Sequence, residues 1–240
     1  MKKIPSIAAL MFFTLVSLLW SQGTDNPYLA EVAKLSEGKR LSLAKESIAE
    51  AVELINRGQE LGKAYNLLLK AEACDPTIQA ILFEKGRLFE DWKVGFFGKT
   101  IELYEKYVES NPQDGRAMVH LAWNYIRIGS NEKAEDLYRR ATVANPQNNW
   151  AWSEYARFLV ERTTQYEQAL AAADRASKAQ PSKPMDNDPW LWRTKALALL
   201  QLKRTEEAKP ALEKAFELFT AQKDSYQASL VKAWMKEFPF

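Results

Sequence analysis

The chain has 240 residues, 47% of them hydrophobic and 27% charged, a balance that excludes a disordered polymer and supplies apolar surface for a core. Its 33 basic and 31 acidic residues nearly cancel, so there is no electrostatic footprint for nucleic acid. A single Cys (Cys74) excludes an internal disulfide, and a single His (His120) excludes a zinc site of the usual His and Cys type within one chain.

At the N-terminus Lys2 and Lys3 precede an uncharged, largely apolar run from Ile7 to Trp20, followed by Ser21, Gln22 and Gly23. This three-part layout predicts a secretory signal peptide over 1–23, cleaved after Ser21 or Gly23. The run is too short to span a bilayer comfortably, so no stable membrane span is expected once it is removed. The expected product is exported, most readily to the periplasm and otherwise outside the cell. Losing Lys2 and Lys3 also makes the mature chain formally neutral. Residues 24–44 form a leading segment in which Tyr28 to Leu35 can make a short helix.

From there the chain is punctuated by Pro76, Pro112, Pro146 and Pro181, spaced by 36, 34 and 35 residues. Five residues before each stands Ala71, Tyr107, Ala141 or Ala176; eight before stands Leu68, Tyr104, Tyr138 or Ala173. Such a period predicts a stacked array of helix hairpins. The units are about 45–78, 79–114, 115–148, 149–183 and 189–221. In the third, Met118, Leu121, Ala122, Tyr125 and Ile128 recur at steps of three and four, the apolar stripe of a helix. Gly129 suits the left-handed residue that ends it, and Ser130 or Asn131 the cap of the next. Ala134, Leu137, Tyr138 and Ala141 mark the second helix, stopped by Asn145-Pro146. Residues 222–240 read as a closing helix, with Leu230, Trp234 and Phe238 covering the last hydrophobic face. Cys74, next to Asp75-Pro76, reads as a small packing residue, with an intermolecular bridge as the alternative.

These residues resemble the tetratricopeptide repeat (TPR) family, whose 34-residue pattern sets small residues at its eighth, twentieth and twenty-seventh positions and Pro at its thirty-second. The unit from Lys45 supplies Val52, Ala64, Ala71 and Pro76; the third supplies Ala122, Ala134, Ala141 and Pro146. The fourth gives Ala156, Ala169, Ala176 and Pro181, and the last Ala196, Ala208 and Ala215, with Thr220 in place of Pro. The second unit departs most: Thr100 and Tyr107 stand where Ala is preferred. The resemblance implies an all-α fold, a right-handed superhelical solenoid of about five hairpins with N- and C-terminal capping helices. Alanines at the crossings let helix axes approach to ~8–10 Å, while Trp152 and Trp192 are expected to fill the space between layers.

The resemblance also implies a concave face lined by the first helix of each unit. On this sequence it places Arg116, Val119, Trp123 and Ile126, then Trp150, Ser153, Arg157 and Val160, then Trp190, Arg193, Leu197 and Leu200 there. The expected partner-binding residues are Arg116, Trp123, Trp150, Arg157, Trp190 and Arg193, because guanidinium beside indole suits an extended segment with apolar side chains and a carboxylate. The competing reading packs the tryptophans on the preceding unit and leaves the arginines solvated. The family's clamp for acidic C-terminal tails is not expected, since Val119, Trp123, Glu154 and Trp190 occupy the positions where it needs Lys or Asn.

The longer turn from Trp92 to Gly98 offers Phe96 and Phe97 as a contact loop, or as a segment folded back on the groove. Gly98-Lys99-Thr100 is no phosphate loop: only two residues separate Gly95 from Gly98, and helical pattern precedes it. No cofactor, metal or catalytic residue is expected. The function that follows is an exported, non-enzymatic scaffold for a protein or peptide. The alternative is a periplasmic small-ligand or lipid-binding component of a transporter, with Trp123, Trp150 and Trp190 enclosing a cavity.

Overall fold

The computed structural model describes residues 26–91, 97–179 and 187–238; the signal segment and Phe96 lie outside them. Every regular element among the described residues is an α-helix, and consecutive helices pack as hairpins. The chain divides into two compact units, within 1–92 and 93–240.

In the N-terminal unit a single turn, α1 (Leu29–Val32), leads into α2 (Glu37–Arg57), α3 (Leu61–Cys74) and α4 (Ala80–Asp91). Helix α2 begins two turns ahead of the Lys45 boundary, after Ser36 in extended conformation, and it buries Ala44, Ser47, Ala51 and Ile55. It pairs with α3, which buries Ala64, Leu68 and Ala71, and α1 lays Val32 onto α3. Cys74 is buried there, and burial pushes its thiol pKa up, away from reactivity.

The C-terminal unit begins with α5 (Phe97–Ser110). The hairpin α6 (Gly115–Arg127) and α7 (Asn131–Ala144) follows, then α8 (Asn149–Arg162) with α9 (Tyr166–Ala179), then α10 (Pro189–Gln201) with α11 (Thr205–Ala221). Helix α12 (Ser225–Glu237) closes the array, sinking Ala228 and Val231 against α11, with Leu230, Trp234 and Phe238 partly buried around them. The alanines of the repeat pattern are fully buried: Ala122, Ala134, Ala141, Ala156, Ala169, Ala196, Ala208 and Ala215 are all 0% exposed. Tyr104, Tyr138, Leu159 and Leu212 fill the layers between them. Trp152 and Trp192 pack against these layers but remain partly exposed. The Trp152 Nε1–H donates to the carbonyl of Pro146 at 3.0 Å, and Lys195 lies over the Trp192 ring.

Helix ends are set by side-chain chemistry. Asp114, Asn148, Asp188 and Asp224 each accept a hydrogen bond from a first-turn backbone N–H, which starts α6, α8, α10 and α12. Gly129, at φ 80°, closes α6 as expected: its N–H donates to Ile126, and the Ser130 N–H donates to Tyr125. Ser130 thereby completes the preceding helix, and its side chain makes no cap bond to α7.

Gly115 exposes how tight these crossings are. A Cβ added there would meet the backbone oxygen of Ala141 at 2.8 Å, whereas one added at Gly38 meets nothing within 4 Å. Helix propensity alone favours Ala over Gly by ~1 kcal/mol; overpacking costs ~1–3 kcal/mol. Gly115→Ala should therefore lower the thermal midpoint while Gly38→Ala preserves or raises it. A G115A variant more stable than the parent would contradict this packing.

Candidate functional site

Helices α6, α8 and α10 pack side by side through the C-terminal unit, α6 on α8 and α8 on α10. Their shared face carries one continuous run of rings and guanidiniums. It starts where the buried Tyr104 of α5 stacks on His120 at 5.6 Å. His120 in turn meets Trp123 at 5.2 Å and Trp150 at 5.5 Å, and those two indoles form a T-shaped pair at 5.5 Å. The Arg157 guanidinium lies 6.0 Å from the centroids of both Trp123 and Trp190. Arg193 continues the ladder, 5.4 Å from Trp190 and 5.3 Å from Trp234 of α12. Trp190 leans edge-on against the buried Phe219.

A simple register produces this run. The ninth residue of α6, Trp123, meets the second of α8, Trp150; the ninth of α8, Arg157, meets the second of α10, Trp190. Hairpins of equal build stacked side by side repeat the same diagonal contact. The four tryptophans of the ladder are half-buried.

The arginines are not bare cations. Arg157 bonds to Glu154, whose other contact is the Trp123 Nε1–H at 2.9 Å. Arg193 Nη1 reaches Glu161 at 2.9 Å, while its Nε is buried without a hydrogen-bond partner. Glu154 is only 13% exposed. Burial raises its pKa, an effect that the Arg157 charge and the Trp123 hydrogen bond only partly oppose. Asp188 is likewise shifted up by burial, against the backbone N–H groups of Trp190 and Leu191 and the charge of Arg157.

Of the residues picked out by sequence, the structure thus brings together Trp123, Trp150, Arg157, Trp190 and Arg193. Arg116 lies two turns away along α6, exposed in its first turn. Phe97 is not in a loop; it opens α5, half-buried, with the Arg127 guanidinium 5.6 Å from its ring. Lys99, in the same turn, pairs with Glu102 at 2.8 Å. His120, Glu154, Glu161, Asp188 and Trp234 are the ladder members that sequence reasoning left out. Trp150, Glu154, Arg157 and Glu161 follow one another at steps of four, three and four, a single helix stripe that identifies both acids.

A cavity of about 680 Å³ opens elsewhere in this unit, lined by Glu105, Tyr125, Lys133, Asp136, Leu137 and Arg140 among others; none of Trp123, Trp150 and Trp190 lines it. Its Tyr125 hydroxyl donates to Glu105, and burial with that bond pushes the phenol up to about 12. Among the described residues no cluster of His, Cys, Asp and Glu could hold a metal ion, and no helix is long and apolar enough to cross a membrane.

Residues 90–149 and 191–221 match models of the tetratricopeptide repeat. The chain carries tetratricopeptide repeats. Solved structures of the same fold include a mutant of MamA, 22% identical over 75% of this chain and 97% of that one, with a TM-score of 0.56. Another is YrrB, described as a TPR protein with an unusual peptide-binding site. It is 17% identical over 83% of this chain and 98% of that one, with a TM-score of 0.58. No curated protein matches the sequence. In this TPR chain the ladder is the part of the repeat surface where rings and charges converge.

Two outcomes follow from the ladder. Removing the guanidinium strands Glu154, so Arg157→Ala should cost ~1–3 kcal/mol. Adding Glu154→Gln should recover part of that loss, giving a nonzero coupling in a double-mutant cycle; strictly additive losses would mean that the pair is idle. Asp188→Asn keeps the helix cap but removes the ionised form that burial disfavours. A carboxyl raised in the fold is protonated there before it is in the unfolded chain, so its penalty is full above the folded pKa and vanishes below the unfolded one. D188N should therefore melt higher than the parent at pH 7, and the gain should shrink as pH falls through the acid range. A gain that grew on acidification would reverse the sign.

Proposed function

We propose that this protein is an exported, non-enzymatic scaffold that holds an extended segment of a partner protein across α6, α8 and α10. The observation that carries this reading is the unbroken ladder of half-buried indoles on successive first helices. Rings that stay partly exposed and are held rigid by their neighbours supply contact area at low entropic cost. A regular spacing of such rings suits an extended chain, whose side chains repeat along its length. YrrB, of the same fold, is described as having a peptide-binding site, which supports the reading by likeness.

The chemistry of the chain favours binding over catalysis. Its one His is wedged among Tyr104, Trp123 and Trp150, and its one Cys is buried in the other unit with a raised thiol pKa. Neither is placed to act as nucleophile or base. Export rests on the Lys2-Lys3 and Ile7–Trp20 layout, and N-terminal sequencing of protein from an envelope fraction should read a start near Thr24.

Binding is tested by selecting from a displayed library of random peptides on the full chain. Enriched peptides should lose affinity about tenfold or more when Trp150 is replaced by Ala, with the helical signal retained. They should be indifferent to Tyr226→Ala, an exposed ring on α12. Selection that enriches nothing, or binders that ignore Trp150, would overturn the reading.

A further inference from the structure

Charge around the ladder is unbalanced in one direction. Glu161 answers Arg193 and Glu154 answers Arg157, which leaves Asp188 over. That carboxylate caps α10 by accepting the Trp190 N–H at 2.9 Å, and it forms no salt bridge among the described residues. The cation that it feels is Arg157, already bonded to Glu154, and Glu154 feels Asp188 as a like charge. Asp188, on the backbone of Trp190, thus stands beside the ring that Arg157 covers, and Arg157 is itself bonded to Glu154.

Resting on the peptide-binding reading above, we infer that the occupant of this face is an extended peptide carrying a Lys or Arg side chain, whose cation is received between the indoles beside Asp188 and Glu154. Three features favour a cation over an anion. Both ladder guanidiniums already lie against a carboxylate and are flanked by rings, so an incoming carboxylate would meet Glu154 or Glu161 as a like charge beside either of them. The excess charge is negative and sits in a half-buried, poorly screened place, where an incoming cation gains most. Indole faces attract ammonium and guanidinium groups, and their edges cover the aliphatic stem behind the charge. Trp123 and Trp190 already hold Arg157 in this way, and a partner's cation would extend the alternation of ring and charge by one step. Arg116 is exposed in the first turn of α6, two turns from Trp123.

The test uses three synthetic peptides of one apolar, extended sequence that differ at a central position: Lys, Gln or Glu. Affinities are read by fluorescence anisotropy with the full chain and with Asp188→Asn. The Lys peptide should bind about tenfold tighter than the Gln peptide, as one charge-assisted contact implies, and the Glu peptide weakest. D188N should bring the Lys peptide down to the Gln level and leave the Gln peptide unchanged, while the variant keeps its helical signal and melts no lower than the parent. Loss of the Lys preference on D188N in a destabilised protein is separated from this by Asp224→Asn, the same cap exchange on α12, which should leave all three affinities alone. If the three peptides bind equally, or the Glu peptide binds best, the cation assignment is wrong while peptide binding stands. If none binds, both fall.

Discussion

Close approach of helices across alanine is the constraint on which the rest of this molecule depends. At the crossings of the C-terminal unit the side chains are single methyl groups with no exposure, and at Gly115 even a methyl is too much. This spacing does more than densify the core. It fixes the offset of one hairpin against the next, and that offset brings the ninth residue of one first helix onto the second residue of its neighbour. Without it Trp123 would not find Trp150, nor Arg157 find Trp190. The hydrophobic effect supplies the gross driving force through Tyr104, Tyr138, Leu159 and Phe219, but it is indifferent to register. Small residues and the Asp and Asn caps decide the register.

The ladder shows what that rigidity is used for. Arg157 and Glu154 are drawn out of water beside two indoles, an arrangement that gains Coulomb and cation–π energy but gives up hydration. Asp188 adds a second carboxylate that burial disfavours. For the cap alone an Asn would serve without that penalty. Charge held at a cost on a preorganised face is a common mark of binding sites, where an incoming group relieves the penalty.

Much of the fold was legible because repetition multiplies weak signals. One Ala eight residues into a helix means little, but Ala122, Ala156 and Ala196 in step, each followed by Ala134, Ala169 and Ala208, leave few architectures to consider. The aromatic and basic members of the ladder were legible for the same reason. The acids were not, since Glu154 and Glu161 look like solvated helix residues until a neighbouring hairpin is laid against them. Asp188 reads as an ordinary cap before Pro189, and its charge becomes meaningful only when α8 is placed alongside. Trp152 and Trp192 pack against the core but are less buried than their size suggests. Their size argues for deep burial, but an indole N–H needs an acceptor, and Trp152 finds one at the rim in the carbonyl of Pro146. His120 shows the limit of reading residue types as chemistry: a lone imidazole in mid-helix serves here as one more flat ring.

Ala134 offers the most direct measurement of the central claim, that hairpin spacing sets the ladder. It is fully buried in α7 and has no part in the ladder, so Ala134→Leu alters spacing and leaves every ring and charge in place. Near-ultraviolet circular dichroism reports the fixed, asymmetric packing of the indoles, and far-ultraviolet dichroism reports helix content. The account predicts that A134L keeps most of its helix signal, loses much of the tryptophan signal and melts earlier by ~1–3 kcal/mol of stability. An unchanged tryptophan spectrum at an unchanged melting temperature would contradict it.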